Sequence, residues 1–275
     1  MVQVRKHSGE FEDFDARKVS YALIRSGAKK ELADGIVAEV ETKAYDGITT
    51  GEIYHIAFQL LHKHDFDSAV RFSLKDAIMR LGPSGFPFEK YIAKVLEAHG
   101  FSVKLNQKLN GMCVTHEVDL IVEDSAGRYM VECKYHNQPG YYTGLKEALY
   151  TFARFEDLVD GGNNFKSAWV VSNTKCSEDA LKYCKCKNVR VTSWGYPHGE
   201  SLQDLIDSKC LYPITIMPHL SDDARFKLSQ QGIITAGDLA RMEPKVIAET
   251  TGCNEVEIKE LMLTVGKLTV QKNRE

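Results

Sequence analysis

SAWVVSN, residues 167–173, is the stretch that most narrows the fold. A run this short and this continuously apolar predicts a central β-strand buried on both faces, and such a strand needs helices above and below its sheet. The flanking pattern supplies them. An amphipathic helix, PFEKYIAKVLEAHG, stops at Gly100, and three strands follow in FSVKLN, VTHEVDLIVE and RYMVECKYH. TGLKEALYTFARFEDLV then reads as a helix before the apolar run, and the helix SEDALKYCKC and the strand VRVTSW come after it. Helix, three strands, helix, strand, helix, strand is the order of an α/β core with a mixed sheet, placed at residues 84–212. The turn-rich GPSGFP marks the boundary before it.

Inside that core, MVECKYH sets Glu132 and Lys134 two residues apart in a strand. A hairpin turning at Asp124–Gly127 pairs Glu123 with Arg128 and, in the same register, Leu120 with Val131 and Asp119 with Glu132. Directly opposed residues have Cβ atoms ~5 Å apart, and alternate residues share a face. Asp119, Glu132 and Lys134 therefore converge, with Val131 and Cys133 toward the core and the charged half of the strand exposed. Two carboxylates that close raise a pKa unless a cation lies between them. Mg²⁺ suits such a site, and Lys134 would neutralise charge developing on a phosphate, so the pattern points to phosphodiester hydrolysis. The plain alternative is a surface ion pair of Lys134 with Glu117, which the same register sets opposite it.

Asp119 followed by Glu132-Cys133-Lys134 resembles the PD-(D/E)XK nuclease motif, here D-x12-E-C-K, and residues 86–195 resemble the Mrr-like, type IV restriction endonuclease domain. The resemblance implies metal ligation (Mg²⁺ or Mn²⁺) by Asp119, Glu132 and the backbone carbonyl of Cys133. It implies catalytic roles for Asp119, Glu132 and Lys134, with Glu89 on the preceding helix and Gln138 after the lysine as further members. Nuclease cores of this kind often pair to cut both strands, so it also implies a homo-oligomer, a dimer or larger.

Residues 1–83 open with a strand pair around Ser8-Gly9. Helices follow, with Asp15 and Thr50 as N-caps and one further helix through DSAVRFSLKDAIMRL. Val4, Lys6, Gly9, Phe14, Asp15 and Lys18 resemble the opening of an ATP-cone, the nucleotide-binding regulatory domain of ribonucleotide reductases and their repressor. That resemblance implies contacts to ATP or dATP from Val4, Arg5, Lys6, Lys18 and Val19. No G-x-x-x-x-G-K-[ST] occurs, so the nucleotide is expected as an allosteric effector rather than as fuel.

Residues 213–275 read as short helices with Gly at their joints, and the terminal VQKNRE is expected to fray. LSQQGIITAGDLARMEPKVIAETTGCNEVEIKELM resembles a helix-hairpin-helix module, which implies DNA contacts from Thr251, Gly252 and Lys259. No apolar run approaches the ~20 residues of a membrane span. The charged start and seven cysteines without a CxxC pair predict a cytoplasmic protein without disulfides.

Together these readings predict a metal-dependent DNA endonuclease regulated by ATP or dATP, acting in restriction or in DNA repair. The alternatives are a nucleotide-responsive DNA-binding regulator that does not cut, and a structure-selective junction resolvase.

Overall fold

The computed structural model describes residues 2–82 and 85–270. Pro83 and Ser84, within the boundary GPSGFP, and the last five residues of VQKNRE lie outside them. The chain divides into two compact units, Met79–Pro213 and the two terminal segments together, Met1–Ile78 with Ile214–Glu275.

The amino-terminal segment begins with a hairpin of β1 (Gln3–Arg5) and β2 (Phe11–Asp13), with Val4 opposite Glu12. Helix α1 (Ala16–Arg25) starts where the Asp15 carboxylate accepts from the N–H of Arg17, and α2 (Lys30–Lys43) follows. A two-residue strand, β3 (Ile48–Thr49), adds to β1 in parallel, too short to leave a mark in the sequence pattern. Helix α3 (Thr50–His64) is capped by Thr49, one residue before the expected Thr50. The Thr49 hydroxyl accepts from the N–H of Glu52, and the Glu52 carboxylate accepts from the N–H of Thr49, a reciprocal capping box that Thr50 would not complete. The single helix expected next is two, α4 (Phe66–Phe72) and α5 (Leu74–Met79). The Ser73 hydroxyl between them donates to the carbonyl of Val70, an alternative to the helical ladder that serine offers. Leu23, Ile36, Val40, Ile48 and Leu61 fill the core.

The second unit opens with α6 (Phe86–Ala98), which closes through Gly100 in a left-handed conformation (φ +91°). Then come β4 (Ser102–Asn110), β5 (Thr115–Asp124), β6 (Gly127–Lys134), α7 (Leu145–Asp160), β7 (Ser167–Ser172), α8 (Glu178–Cys186) and β8 (Arg190–Thr192). A last helix, α9 (Leu202–Ser208), was not apparent from the sequence pattern. The five strands lie in the order β4-β5-β6-β7-β8. The first three are antiparallel and the last three parallel, the mixed sheet the sequence predicts. All six residues of β7 are buried.

β6 is the middle strand, and this corrects the expectation of a half-exposed one. Leu158 and Phe155 of α7 pack with Val118, Ile121 and Met130 on one face of β5 and β6. Glu132 shares that face with Met130 and is only 4% exposed.

The remaining helices belong to the first unit: α10 (Asp222–Gln230), α11 (Ala236–Leu239), α12 (Pro244–Thr251) and α13 (Glu255–Thr269). α13 packs on α4, where Arg71 donates to the carbonyl of Lys267 (2.7 Å) and Lys267 Nζ lies 3.0 Å from Asp67. Among the described residues no helix is long and apolar enough to cross a membrane.

Candidate active site

The β5–β6 ladder runs from Leu120–Val131 to Asp124–Gly127, in the register deduced from the turn. Where it stops, the Asp119 carboxylate reaches across and accepts from the N–H of Cys133 (2.8 Å). One residue on, Lys134 Nζ donates to Glu132 Oε1 at 2.6 Å. Lys134 thus bonds to Glu132 on its own strand, rather than serving the Glu117 pair of the plain alternative. The other oxygen of Glu132 accepts from Arg154 on α7, which also donates to the carbonyl of Glu117. A buried carboxylate costs several kcal/mol to desolvate, and two charge-assisted partners offset that cost here.

Sequence reasoning missed Arg154, although a signal existed. Ala148, Thr151, Arg154 and Leu158 form the buried stripe of α7, and an arginine at that spacing in an amphipathic helix needs a buried acid to face.

Glu89 on α6 faces the same region. Asn106 of β4, with its amide oriented to satisfy both neighbours, donates to Glu89 Oε2 (2.9 Å) and to the carbonyl of Asp119 (3.1 Å). Asn106 sits at φ +49°, between the ladder pairs Leu105–Leu120 and Gln107–Val118. A left-handed residue inside a strand is strained, and asparagine tolerates it better than most. Nothing in the sequence pattern announces this position.

The electrostatics follow from the packing. Burial, then the charge of Glu132, pushes the Asp119 carboxyl up to about 7, against the pull of the Cys133 N–H. Burial, with Glu117 and Glu132 nearby, raises Glu89 as well. The Cys133 thiol is driven far up by burial, so it is no nucleophile at neutral pH. Among the described residues no three His, Cys, Asp or Glu side chains stand preassembled as a metal cage. Asp119, Glu89 and Glu132 carry carboxylate oxygens, the donor type a hard divalent cation takes, and burial with the Glu132 charge disfavours the ionised form of Asp119 without enough positive charge to offset it. Gln138 is exposed on the loop after β6.

In the other unit, Lys6 and Lys18 come together on Glu12, at 3.2 and 3.1 Å. Burial works against it, but the hydrogen bonds and charges of Lys18 and Lys6 hold the Glu12 carboxyl below the ordinary range. Val4 is buried beneath this hairpin, Arg5 is exposed, and Val19 packs against the same core. At the proposed hairpin turn, Gly252 takes φ +75° and Thr251 donates to the carbonyl of Ile247. The Asn254 side chain accepts from both Val256 and Glu257 N–H groups, and Glu255 and Glu257 occupy the first turn of α13. The helix start that would grip a phosphate is therefore already capped and acidic. Lys259 lies one turn further along α13.

Comparison with known proteins assigns all three segments. Residues 2–75 match the ATP cone domain, residues 82–205 the restriction endonuclease domain of the Mrr catalytic type, and residues 212–269 the AF1548-like carboxy-terminal domain. An uncharacterized protein of Archaeoglobus fulgidus is 39% identical over 177 residues, which cover 64% of this chain and 99% of that one. The crystal structure of AF1548, a protein of unknown function, is 37% identical, covers 68% of this chain and 98% of that one, and superposes with a TM-score of 0.57. The structure of Can2 from Sulfobacillus thermosulfidooxidans in complex with cyclic tetra-adenylate covers 64% of this chain and 51% of that one at 13% identity. Its TM-score of 0.32 is too low to carry an argument. Shared along nearly the full length of its Archaeoglobus relative, the sequence shows that this chain belongs to the AF1548-like family, with a restriction endonuclease domain between an ATP cone and the AF1548-like carboxy-terminal domain.

Proposed function

We propose that the protein is a Mg²⁺- or Mn²⁺-dependent DNA endonuclease whose activity is set by ATP or dATP at the cone. The observation that carries the reading is the convergence of Asp119, Glu132 and Lys134 at the end of the β5–β6 ladder. Asp119, Glu132 and the carbonyl of Cys133 would hold the ion, with Glu89 beside them. The chemistry that such an ion supplies is polarisation of a phosphoryl oxygen and activation of water at neutral pH.

The chain's own groups have separate tasks. Glu132 keeps both cation partners until substrate arrives, and Lys134 is the one free to leave, since its side chain is 23% exposed against 9% for Arg154. Released toward the scissile phosphate, its ammonium offsets the negative charge that builds as water attacks phosphorus and the P–O bond breaks. Arg154 stays behind and keeps Glu132 ionised and oriented. Asn106 fixes the approach of Glu89. The capped, acidic start of α13 favours packing over phosphate binding at Thr251 and Gly252, so we assign DNA contact chiefly to the nuclease unit.

At the cone, Lys6 and Lys18 would receive the triphosphate and exchange Glu12 for it, with Val4, Arg5 and Val19 around the nucleotide. The chain pairs with a second copy to cut both strands.

The test incubates the full-length protein with plasmid, linear, methylated and branched DNA, with Mg²⁺ or Mn²⁺, with and without ATP or dATP. Lys134→Ala and Asp119→Ala run in parallel. Cleavage by the wild type alone is expected, with a rate that responds to nucleotide. Equal inertness of all three proteins on every substrate would sink the nuclease reading.

A further inference from the structure

Past the end of β6 the chain carries an aromatic surface that phosphodiester chemistry does not need. Tyr141, Tyr142 and Tyr150 are 57%, 47% and 58% exposed, and Leu145 and Leu149 of α7 are exposed as well. Large apolar side chains exposed together mark a binding surface. The segment that presents the first two is tied down at both ends. Before it, the N–H of His136 donates to Asn173 Oδ1 (2.8 Å) and Asn173 Nδ2 donates to the His136 carbonyl (2.7 Å). After it, the N–H of Thr143 donates to the carbonyl of Lys175 (3.0 Å), and the buried Thr143 and Ser172 hydroxyls lie 2.7 Å apart. Held between these anchors, the Tyr141 ring stacks on His136 at 6.1 Å and 10°.

The rings stand among cations. Lys134 Nζ, which also serves Glu132, lies 6.0 Å from the centre of the Tyr150 ring, and the buried Arg154 guanidinium 5.3 Å from it. Lys146 and Lys175 are exposed, and the Lys175 carbonyl accepts from the N–H of Thr143. Exposed rings interleaved with basic side chains are what a strand of unpaired bases and phosphates requires, because every base has a face to stack and every link a charge to neutralise. Duplex DNA hides those faces in its own stack.

We propose that Tyr141, Tyr142 and Tyr150 form a stacking platform for unpaired bases, so that the site takes single-stranded segments of DNA in preference to intact duplex. The proposal rests on the nuclease reading of Asp119, Glu132 and Lys134, and its test is a binding measurement that does not require cleavage. Full-length protein in EDTA is titrated against three fluorescein-labelled probes of about 15 nucleotides, matching the length that such grooves engage. They are oligothymidylate, an abasic strand with the same number of phosphates, and a duplex.

The wild type is expected to hold oligothymidylate at least about 10-fold more tightly than the other two. The double variant Tyr141→Ser/Tyr142→Ser and the single Tyr150→Ser should each lose about 5- to 150-fold on oligothymidylate while binding the abasic strand as before. Tyr150→Phe should retain the wild-type value. Equal affinity of the wild type for oligothymidylate and the abasic strand overturns the platform, and that comparison needs no variant to fold. Serine variants that bind oligothymidylate normally but sediment as smaller species also overturn it, and reassign the patch to a subunit contact. Base-dependent binding without cleavage once Mg²⁺ is restored keeps the platform and removes the nuclease reading.

Discussion

Each unit of this protein places one carboxylate between two cations, and the two arrangements differ mainly in water. Glu132 lies between Lys134 and Arg154 with 6% of its side chain exposed, whereas Glu12 lies between Lys6 and Lys18 with 30% exposed. A buried charge that loses a partner is left uncompensated, while an exposed one is compensated by solvent. The same triad of charges is therefore structural commitment in one place and exchangeable cover in the other. On the proposed reading, Glu132 would organise a reaction because it cannot easily be left alone, and Glu12 would yield its lysines to a triphosphate because it can.

The largest test of the contrast is on rate. Lys134→Met should lower DNA cleavage by roughly 10²- to 10³-fold, the usual effect of removing one donor from a developing negative charge. Lys18→Met should leave cleavage without nucleotide unchanged and abolish only its response to ATP or dATP. Equal loss of basal cleavage in both variants would mean that the two triads are not separate devices.

Next is stability. Arg154→Met strands Glu132 with one partner and should destabilise the nuclease unit by about 3–5 kcal/mol. Trp169 and Trp194 both lie in that unit, so urea unfolding followed by tryptophan fluorescence reports it directly. Glu132→Gln added to Arg154→Met should recover part of the loss, since the stranded charge is gone. A single variant within about 1 kcal/mol of wild type would show that Arg154 is ornamental to Glu132.

What could be read in advance follows the same division. That Asp119 lies beside the Glu132–Lys134 stretch was legible because strand register has a period of two and the turn at Asp124–Gly127 fixes it as far as Leu120–Val131. The capping residue Asp15, the left-handed Gly100 and the buried β7 were legible for equally local reasons. Arg154 was not, because its role is defined by a strand partner 22 residues away, and only the misfit of an arginine in an apolar stripe hinted at it. Asn106 was less legible still: a positive φ inside a strand comes from tertiary constraint at Glu89 and Asp119, not from local propensity. The burial of Glu132 was misjudged because alternation says which face a residue takes, not whether a helix covers that face.

A smaller effect concerns pH. The Asp119 carboxyl sits near 7 in the folded chain against an ordinary value of 3.8, so folding favours its protonated form. Its contribution to stability is complete below about pH 4 and is lost as pH rises to about 7. Asp119→Asn should therefore gain melting temperature relative to wild type across that window, with a constant gap above it, when both are measured without divalent ions. Mg²⁺ or Mn²⁺ should bind the wild type more tightly as pH rises toward 7 and no more tightly beyond, because the ion competes with the proton. A wild-type-minus-variant difference that does not change with pH would place the Asp119 titration outside this window.

The smallest expected effect is at Glu12, and its smallness is the point. Glu12→Gln removes the carboxylate that Lys6 and Lys18 share, yet exposed pairs contribute about 0–1 kcal/mol, so urea unfolding followed by far-ultraviolet circular dichroism should shift by no more than that. Triphosphate binding should respond in the other direction. With the competing carboxylate neutralised, the two lysines no longer have to abandon an anion to accept one, and ATP should bind several-fold more tightly, with the gain shrinking as salt is added. Weaker binding in Glu12→Gln would instead mean that Glu12 positions the lysines for the phosphates. The exposed triad would then be an organising element after all, distinguished from the buried one by strength and not by kind.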